Sequence, residues 1–238
     1  MKRIKLFFLP YAGGTASVYL SWRKCLDQSI DIKPVELAGR GKRINEPLYK
    51  RVDEAAEDIF KVMSKEIGEG KYAIFGHSMG AILAFEIAKK INQANLKKPE
   101  HIFFSGRSAL DSLAEPKYIY TLNDDQFIKS IIKYGGTNKE VFENDALKAI
   151  FLPILRADFS MVERYKFQNN NFRLGCDITI LNGTEDKLVS FGDLKNWESL
   201  TYGSCKFYEF TEGHFFINKY KQEICKIISE TLVDKYQG

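Results

Sequence analysis

The chain has 238 residues, of which 45% are hydrophobic and 28% are charged, and its formal net charge is +4. This length and apolar content are typical of one sizeable domain with a full core, which excludes a disordered chain. The lysines are scattered rather than clustered and no segment approaches the length of a membrane span. The sequence therefore predicts neither a nucleic-acid partner nor a membrane partner.

The cysteines and the N-terminus indicate a cytoplasmic protein. The four cysteines form no C-x-x-C pair and have no histidine at metal-ligand spacing, which is typical of reduced thiols and predicts no metal site. The chain starts with basic residues and an apolar run, but the run ends at Pro10, and Gly13 and Gly14 follow. We therefore interpret it as a first core strand rather than a secretory signal.

Short apolar runs alternate with helical patterns along most of the chain. The runs predict strands at residues 4–9, 30–36, 72–75, 101–105, 177–181 and 206–210. Apolar residues at helical spacing predict a helix that contains Tyr19, Trp22 and Leu26, and further helices at residues 52–67, after residue 78 and at residues 221–233. This alternation predicts an α/β fold with a doubly wound, mostly parallel sheet and helices on both faces.

The alternation of predicted strands and helices stops between residues 112 and 172, a range that we call the lid segment. Asn123 is a predicted cap for a helix that reaches Ile132, and residues 146–159 form an amphipathic stretch that contains Pro153. We predict a core of residues 1–111 and 173–238 with a helical lid inserted at residues 112–172. The alternative is a set of peripheral helices that has no gating role.

A G-x-S-x-G motif spans residues 76–80, between a buried strand and a long apolar helix. In such a motif the tight turn lifts the hydroxyl of Ser78 clear of the sheet, and only glycine fits at the flanking positions. This context predicts that Ser78 is a catalytic nucleophile. The alternative is a serine that merely caps the helix.

A serine nucleophile needs a base, and the chain has three histidines. His214 directly follows the last predicted strand, and we predict that it is the catalytic base. His77 is expected to pack inside the turn with its ring away from the hydroxyl. His101 opens a strand and is expected to be a surface or structural residue.

The base in turn needs a carboxylate that orients its ring. Asp186, on a turn after the strand at residues 177–181, is the predicted catalytic acid. Asp111, which follows the preceding strand, is the alternative acid, and the non-catalytic interpretation of Asp186 is a turn aspartate that caps its own backbone. The carboxyl ends of parallel strands meet at one edge of a sheet, so that these residues should gather there. The order Ser78, Asp186, His214 is that of the α/β-hydrolases.

Two backbone N–H groups are predicted to form an oxyanion hole. One is the N–H of Met79 at the start of the helix, and the other belongs to the glycine-containing loop at residues 10–15. In that loop Ala12 is the first candidate and Gly13 the second. The alternative is that Gly13 and Gly14 form only a turn.

Several motifs together resemble those of the type II thioesterases, the stand-alone editing enzymes of nonribosomal peptide and polyketide synthases. They are F-L-P-Y-A-G-G at residues 8–14, E-L-A-G-R-G at 36–41, E-P at 46–47, G-H-S-M-G at 76–80, S-G-R at 105–107, L-R-A-D at 155–158, G-T-E-D at 183–186 and G-H-F at 213–215. The match covers nearly the whole chain. The motif at 76–80 is shared by many hydrolases, whereas those at 8–14, 36–41 and 105–107 are more specific. Leu9 is a mild departure from the family's first motif.

The resemblance implies an α/β-hydrolase fold and hydrolysis of acyl thioesters on the phosphopantetheine arms of carrier proteins, which frees blocked synthases in antibiotic biosynthesis. It implies an acidic carrier domain as the partner and a mobile lid over the acyl chamber. It also implies no bound metal or cofactor, because the substrate carries the phosphopantetheine. We expect a monomer. Five lid residues are candidates for substrate binding or, equally, for the lid's own packed core: Phe127, Ile131, Phe151, Leu155 and Phe159.

Three other functions are compatible with parts of this pattern. A hydrolase of acyl-CoA or of simple carboxylesters would use the same triad, because fold and triad do not fix the substrate. An acyltransferase or cyclase would form the same acyl-enzyme and exclude water. A non-catalytic binding subunit with this fold would be expected to lack one of the triad residues, and here all three are present.

Overall fold

A parallel sheet of six strands lies at the centre of the fold. The computed structural model describes residues 3–68, 70–111, 117–168, 171–189 and 191–233, except for the side chain of Phe191. In chain order the strands are β1 Ile4–Leu9, β2 Ile30–Pro34, β3 Tyr72–His77, β4 His101–Ser105, β5 Asp177–Gly183 and β6 Cys205–Phe210. Their spatial order is β2-β1-β3-β4-β5-β6, and every neighbouring pair is parallel. The predicted parallel sheet is therefore confirmed.

The register of the sheet brings the ends of the central strands together. Leu9 at the end of β1 lies opposite Gly76, and His77 at the end of β3 lies opposite Ser105. Ser105, at the end of β4, lies opposite Leu181 of β5. The loops that follow these strands consequently leave the sheet at one edge, where ligands of such sheets bind.

Helices cover both faces of the sheet. The α-helices are α1 Val52–Ile67, α2 Met79–Gln93, α3 Asp124–Tyr134, α4 Glu140–Glu143, α5 Asp145–Glu163, α6 Phe216–Lys219 and α7 Lys221–Val233. The segment predicted as a helix around Trp22 is a 3₁₀-helix, Ala16–Lys24, and further 3₁₀-helices lie at Gly41–Arg43, Ile119–Thr121 and Phe191–Leu200. In the ranges that the structure describes, no helix is both long and apolar enough to span a membrane.

The alternation of side chains along each strand supplies two separate cores. Phe7 and Leu9 of β1 pack on one face with α1 and α2, and Leu6 and Phe8 pack on the other face with α7 and the 3₁₀-helix at Ala16–Lys24. Successive side chains of a strand point to opposite faces, so that a strand buried on both faces reads as a continuous apolar run. This explains why β1 could be predicted from such a run.

Helices α3, α4 and α5 occupy the described part of the lid segment, and residues 117–168 contain no strand. The side chain of Asn123 caps α3 by accepting a hydrogen bond from the N–H of Gln126, as its position predicts. Helix α5 continues through Pro153. The lid helices share a small core of their own, formed by Ile119, Phe127, Ile131, Phe142, Leu152 and Leu155. The predicted lid boundary at residue 112 lies outside the described residues.

Candidate active site

Ser78 lies in a strained turn between β3 and α2, with φ 55° and ψ −111°. Its N–H donates to the carbonyl of Ser105 at 2.8 Å, which ties the turn to the end of β4. A Cβ atom at Gly76 would collide with the carbonyl of Gly80, and one at Gly80 would collide with the carbonyl of Leu9. Both positions therefore require glycine, because the neighbouring backbone approaches too closely for a side chain. The turn presents Ser78 at the edge of the sheet.

Ser78, His214 and Asp186 form one chain of hydrogen bonds. The Nε2 atom of His214 lies 2.9 Å from the hydroxyl oxygen of Ser78, and its Nδ1 atom lies 2.7 Å from Oδ2 of Asp186. The N–H of Leu188 donates to Oδ1 of Asp186 at 2.9 Å, which fixes the carboxylate. His214 and Asp186 are buried, with 8% and 5% of their surfaces exposed. Asp186, and not the alternative Asp111, is the carboxylate that contacts His214.

The turns that carry Asp186 and His214 are held against each other by close backbone contact. The N–H of Thr184 donates to the carbonyl of Phe210 at 2.8 Å, just beyond β5 and at the end of β6. A Cβ atom at Gly183 would lie 2.5 Å from the carbonyl oxygen of Gly213. Because only glycine allows this approach, Gly183 helps to place the acid beside the base. Sequence reasoning missed this role, for which the only signal was a glycine three residues before Asp186.

The other two histidines are buried, and each is bonded to a neighbouring strand. The Nδ1 atom of His77 lies 2.9 Å from the hydroxyl oxygen of Ser105, and its ring packs against that of His214 with 5.1 Å between the centroids. Burial lowers the pKa of His77 well below 6.5, and the neighbouring His214 lowers it further. The Nε2 atom of His101 lies 2.8 Å from the hydroxyl oxygen of Thr179. The surface interpretation of His101 was therefore wrong, and the structural one holds.

The backbone N–H groups beside Ser78 differ in whether they are already bonded. The N–H of Gly13 donates to Oδ2 of Asp158 at 2.7 Å, and that of Gly14 donates to the carbonyl of Tyr11 at 2.9 Å. Met79 is the first residue of α2, where an N–H has no acceptor within its own helix. Within the described residues no acceptor holds the N–H of Ala12. Ala12 and Met79 are thus the available donors, whereas Gly13 is occupied.

A cavity of about 750 Å³ opens onto Ser78 and His214, and Ala12 and Met79 line it. Of the five lid residues that are candidates for substrate binding or for the lid's own core, Ile131, Leu155 and Phe159 line this cavity. Phe127 and Phe151 are not among the lining residues: Phe127 is buried in the core of the lid, and the half-buried Phe151 packs against that core. Their apolar helical spacing was that of an ordinary core face, which periodicity alone does not distinguish from a pocket wall.

Charged side chains also line the cavity, and basic ones are in excess. Four of them are basic and two are acidic: Arg107, Lys117, Lys166 and Lys187 against Asp111 and Glu163. Burial lowers the pKa of Arg107 and raises that of Glu163. The site therefore combines a serine–imidazole–carboxylate chain, an apolar wall and a positively charged lining, an arrangement suited to acyl transfer from an anionic substrate.

The chain resembles known proteins over nearly its whole length. The model of the thioesterase domain family matches residues 4–232. Linear gramicidin dehydrogenase LgrE of Brevibacillus parabrevis is 35% identical over 233 residues, which are 96% of this chain and 88% of LgrE. The name of LgrE refers to a dehydrogenase, whereas the family model that matches this chain describes thioesterases.

Solved structures give the same result. ClbQ, from the colibactin NRPS/PKS pathway, superposes on this chain with a TM-score of 0.92 at 37% identity, and the match covers 97% of each chain. The type II thioesterase BorB, from the borrelidin biosynthetic cluster, superposes with a TM-score of 0.87 at 30% identity over 96% of this chain and 92% of BorB. The predicted α/β-hydrolase fold is therefore confirmed. The chain belongs to the thioesterase family, in agreement with the resemblance of its motifs to type II thioesterases.

Proposed function

We propose that this thioesterase removes acyl and aminoacyl groups from the phosphopantetheine arms of carrier proteins in nonribosomal peptide or polyketide synthesis. The observation that carries the proposal is the hydrogen-bonded series Ser78–His214–Asp186, whose first two residues line a cavity of about 750 Å³. A cavity of this size can take a thioester and a small acyl group together. The pathway relatives ClbQ and BorB support the assignment to synthases.

The first half of the reaction forms an acyl-enzyme. In the neutral state the proton of His214 lies on Nδ1, facing Asp186, and Nε2 accepts the hydroxyl proton of Ser78. The Ser78 oxygen then attacks the thioester carbonyl, and the N–H groups of Ala12 and Met79 hold the oxyanion. When the C–S bond breaks, the pantetheine sulfur leaves and takes the proton from His214 as a thiol.

The second half hydrolyses the acyl-enzyme. His214 takes a proton from a water molecule, whose oxygen attacks the ester carbonyl on Ser78. The tetrahedral intermediate collapses to the free acid, and the Ser78 oxygen regains its proton from His214. The residues of the chain supply each step, so that we propose a reaction without a bound metal or cofactor, in which the substrate brings the phosphopantetheine.

The lining of the cavity fits an arm that carries a phosphate and a short acyl group. Lys117, Lys166 and Lys187 supply positive charge, and Leu155 and Phe159 supply an apolar wall beside Ser78. Positive charge favours association with the phosphate of the arm and with an acidic carrier domain. We further propose that the protein acts as a cytoplasmic monomer on carriers of a separate synthase.

The test compares three acetyl donors at equal concentration: an acetylated carrier protein, acetyl-CoA and p-nitrophenyl acetate. The wild-type protein and Ser78→Ala are assayed in parallel, and the acyl product is identified by mass spectrometry. We expect free acetate, Ser78-dependent release from the carrier, and the highest kcat/KM on the carrier. A kcat/KM on acetyl-CoA or on the ester that equals or exceeds the carrier value would contradict the proposal and indicate a free-substrate hydrolase. Acetyl transfer to an added alcohol instead of water would indicate an acyltransferase.

A further inference from the structure

Arg40 and Asp158 form an ion pair that is almost completely removed from water, with 1% and 2% of their surfaces exposed. The two nitrogens Nη1 and Nη2 of Arg40 lie 2.6 and 2.7 Å from the two carboxylate oxygens of Asp158. Arg40 follows β2, and Asp158 lies on α5 of the lid segment. The pair therefore joins the core of the fold to the lid.

The same two side chains also hold the loop at residues 10–15, which we call the oxyanion loop. Oδ2 of Asp158 accepts the N–H of Gly13 at 2.7 Å, and Nη1 of Arg40 donates to the carbonyl of Gly14 at 3.4 Å. A charged acceptor makes the bond to Gly13 one of the stronger kinds of hydrogen bond. Three segments that are distant in sequence thus meet at one carboxylate.

The conformation of the oxyanion loop explains what this bond controls. The N–H of Gly14 donates to the carbonyl of Tyr11, and φ of Gly13 is 79°, as at the third position of a type II turn. The peptide between Ala12 and Gly13 is the central peptide of that turn, and its N–H is the one bonded to Asp158. Because the hydrogen bond between Gly14 and Tyr11 closes the turn, fixing this peptide also restrains the orientation of the preceding N–H, that of Ala12. Ala12 lines the cavity together with Ser78.

Packing reinforces the hydrogen bond. Leu155 and Asp158 are three residues apart on α5 and so lie on the same face of the helix. A Cβ atom at Gly13 would lie 3.1 Å from Cγ of Leu155, so that α5 rests directly on the oxyanion loop. Leu155 also lines the cavity, so that one turn of α5 contributes both to the apolar wall of the cavity and to the contact with the oxyanion loop.

Stability alone gives no reason for two buried charges here. Burial of an ion pair costs free energy of desolvation, and an apolar pair of similar volume is often as stable. An apolar pair, however, would leave the N–H of Gly13 without an acceptor. The charges are explained if a carboxylate is the acceptor needed at Gly13 and the guanidinium compensates its buried charge.

We propose that Asp158, held by Arg40, is a positioning residue that fixes the oxyanion loop and directs the Ala12 N–H at the reacting carbonyl. This inference rests on the proposed role of Ala12 in the oxyanion hole. It assigns a role in catalysis to a residue of α5 that touches neither the nucleophile nor the base. The lid segment would then contribute to the rate of the chemical step as well as to the pocket.

The test distinguishes loss of the hydrogen-bond acceptor for Gly13 from loss of the two buried charges. Arg40→Met/Asp158→Leu replaces the pair by apolar groups and removes the acceptor, whereas Arg40→Met/Asp158→Asn removes the charge and keeps an amide oxygen for Gly13. Arg40→Met/Asp158→Ala lacks the same acceptor and adds no bulk beside Gly13, so that it replaces the leucine variant if that one does not fold. Folding is checked by urea unfolding, and kcat and KM are measured with acetylated carrier protein.

A matched control is a second Arg–Asp pair, Arg156 and Asp124, which lies within the lid segment and has a closest N–O distance of 2.6 Å. No contact joins this pair to the oxyanion loop among the described residues. We expect Arg156→Met/Asp124→Leu to keep kcat within about twofold of the wild type. This control shows the effect of losing a lid ion pair together with the hydrogen bonds that Arg156 donates to the carbonyls of Tyr120 and Leu122.

The inference predicts a split between kcat and KM. In Arg40→Met/Asp158→Leu, kcat should fall by about tenfold to 10²-fold at nearly unchanged KM, because the oxyanion donor is misplaced in the transition state. Arg40→Met/Asp158→Asn should stay within about threefold of the wild type. A folded leucine or alanine variant with wild-type kcat, or equal losses in the asparagine and leucine variants, would overturn the inference. A wild-type rate in Ser78→Ala would instead overturn the proposed function.

Discussion

The imidazole ring of His77 lies against that of His214, with 5.1 Å between the ring centroids, although the two rings make different hydrogen bonds. His77 is bonded to Ser105, and His214 links Ser78 to Asp186. Burial is the main cause of the lowered pKa of His77. His77 therefore stays neutral, which avoids a second positive charge beside His214 when the latter takes up a proton during catalysis.

The lowered pKa of His77 predicts how stability depends on pH. Below pH about 6.5 the unfolded chain binds a proton on this histidine and the folded protein does not, so that falling pH favours unfolding. We expect the wild type to lose about 1.4 kcal/mol per pH unit more than His77→Gln between pH 6 and the folded-state pKa. Urea unfolding of both proteins at pH 5.5, 6.5 and 7.5 measures this difference. Parallel pH profiles for the two proteins would contradict a neutral His77.

The conformation of Ser78 predicts that a glycine variant is more stable than an alanine variant at this position. A φ of 55° with ψ of −111° is strained for a residue with a Cβ atom and accessible to glycine. Ser78→Gly should be more stable than Ser78→Ala by about 1 kcal/mol, or about 2–4 °C in Tm for a chain of this size. Both variants lack the hydroxyl, so that the comparison isolates the backbone. An alanine variant as stable as the glycine variant would show that the turn is unstrained.

The glycines next to the acid and the base should differ in their tolerance of a methyl group. At Gly183 a Cβ atom would press on the carbonyls of Glu212 and Gly213, whereas at Gly213 nothing lies within 4 Å of it. We expect Gly183→Ala to lower kcat by about tenfold or more, because it pushes the turn of His214 away from Asp186. Gly213→Ala is the matched control and should stay within about twofold. Equal kcat values in the two variants would contradict the close contact at Gly183.

Two phenylalanines of the lid segment allow a role in the cavity wall to be distinguished from a role in the core of the lid. Phe159 lines the cavity, and Phe142 is buried in the core of the lid without lining the cavity. Phe159→Ala should raise the ratio of kcat/KM for octanoyl over acetyl thioesters by about tenfold, because it enlarges the acyl chamber. Phe142→Ala should lower stability by about 3 kcal/mol and leave that ratio unchanged. A shift of the ratio in Phe142→Ala alone would place the acyl chamber elsewhere.

Local patterns in the sequence were sufficient to predict the sheet and the meeting of Ser78, Asp186 and His214. The buried strands β1 and β4 read as continuous apolar runs, and Ser78, Asp186 and His214 each follow a strand of the parallel sheet. Because the carboxyl ends of such strands converge, the order of residues along the chain was enough to predict their meeting. The structure places these three side chains within hydrogen-bonding distance.

Long-range contacts could not be predicted in this way. Arg40 and Asp158 are separated by 118 residues, and no periodicity connects a loop after β2 to a helix of the lid segment. Likewise, the spacing of Phe127 and Phe151 fits a helix face but does not say which partner that face meets. Burial of His101 depended on the neighbouring strand, where Thr179 supplies its hydrogen bond. Such partners are fixed by tertiary packing, which a single sequence does not state.

In the proposed mechanism Ser78 carries the acyl group during release from a carrier protein. The most direct measurement mixes the enzyme with a stoichiometric amount of acetylated carrier, quenches with acid within the first turnover and maps the peptides by mass spectrometry. We expect one acetyl group on the peptide that contains Ser78, formed together with free carrier thiol, and neither product in Ser78→Ala. Release of the carrier thiol by Ser78→Ala at the wild-type rate would contradict this mechanism.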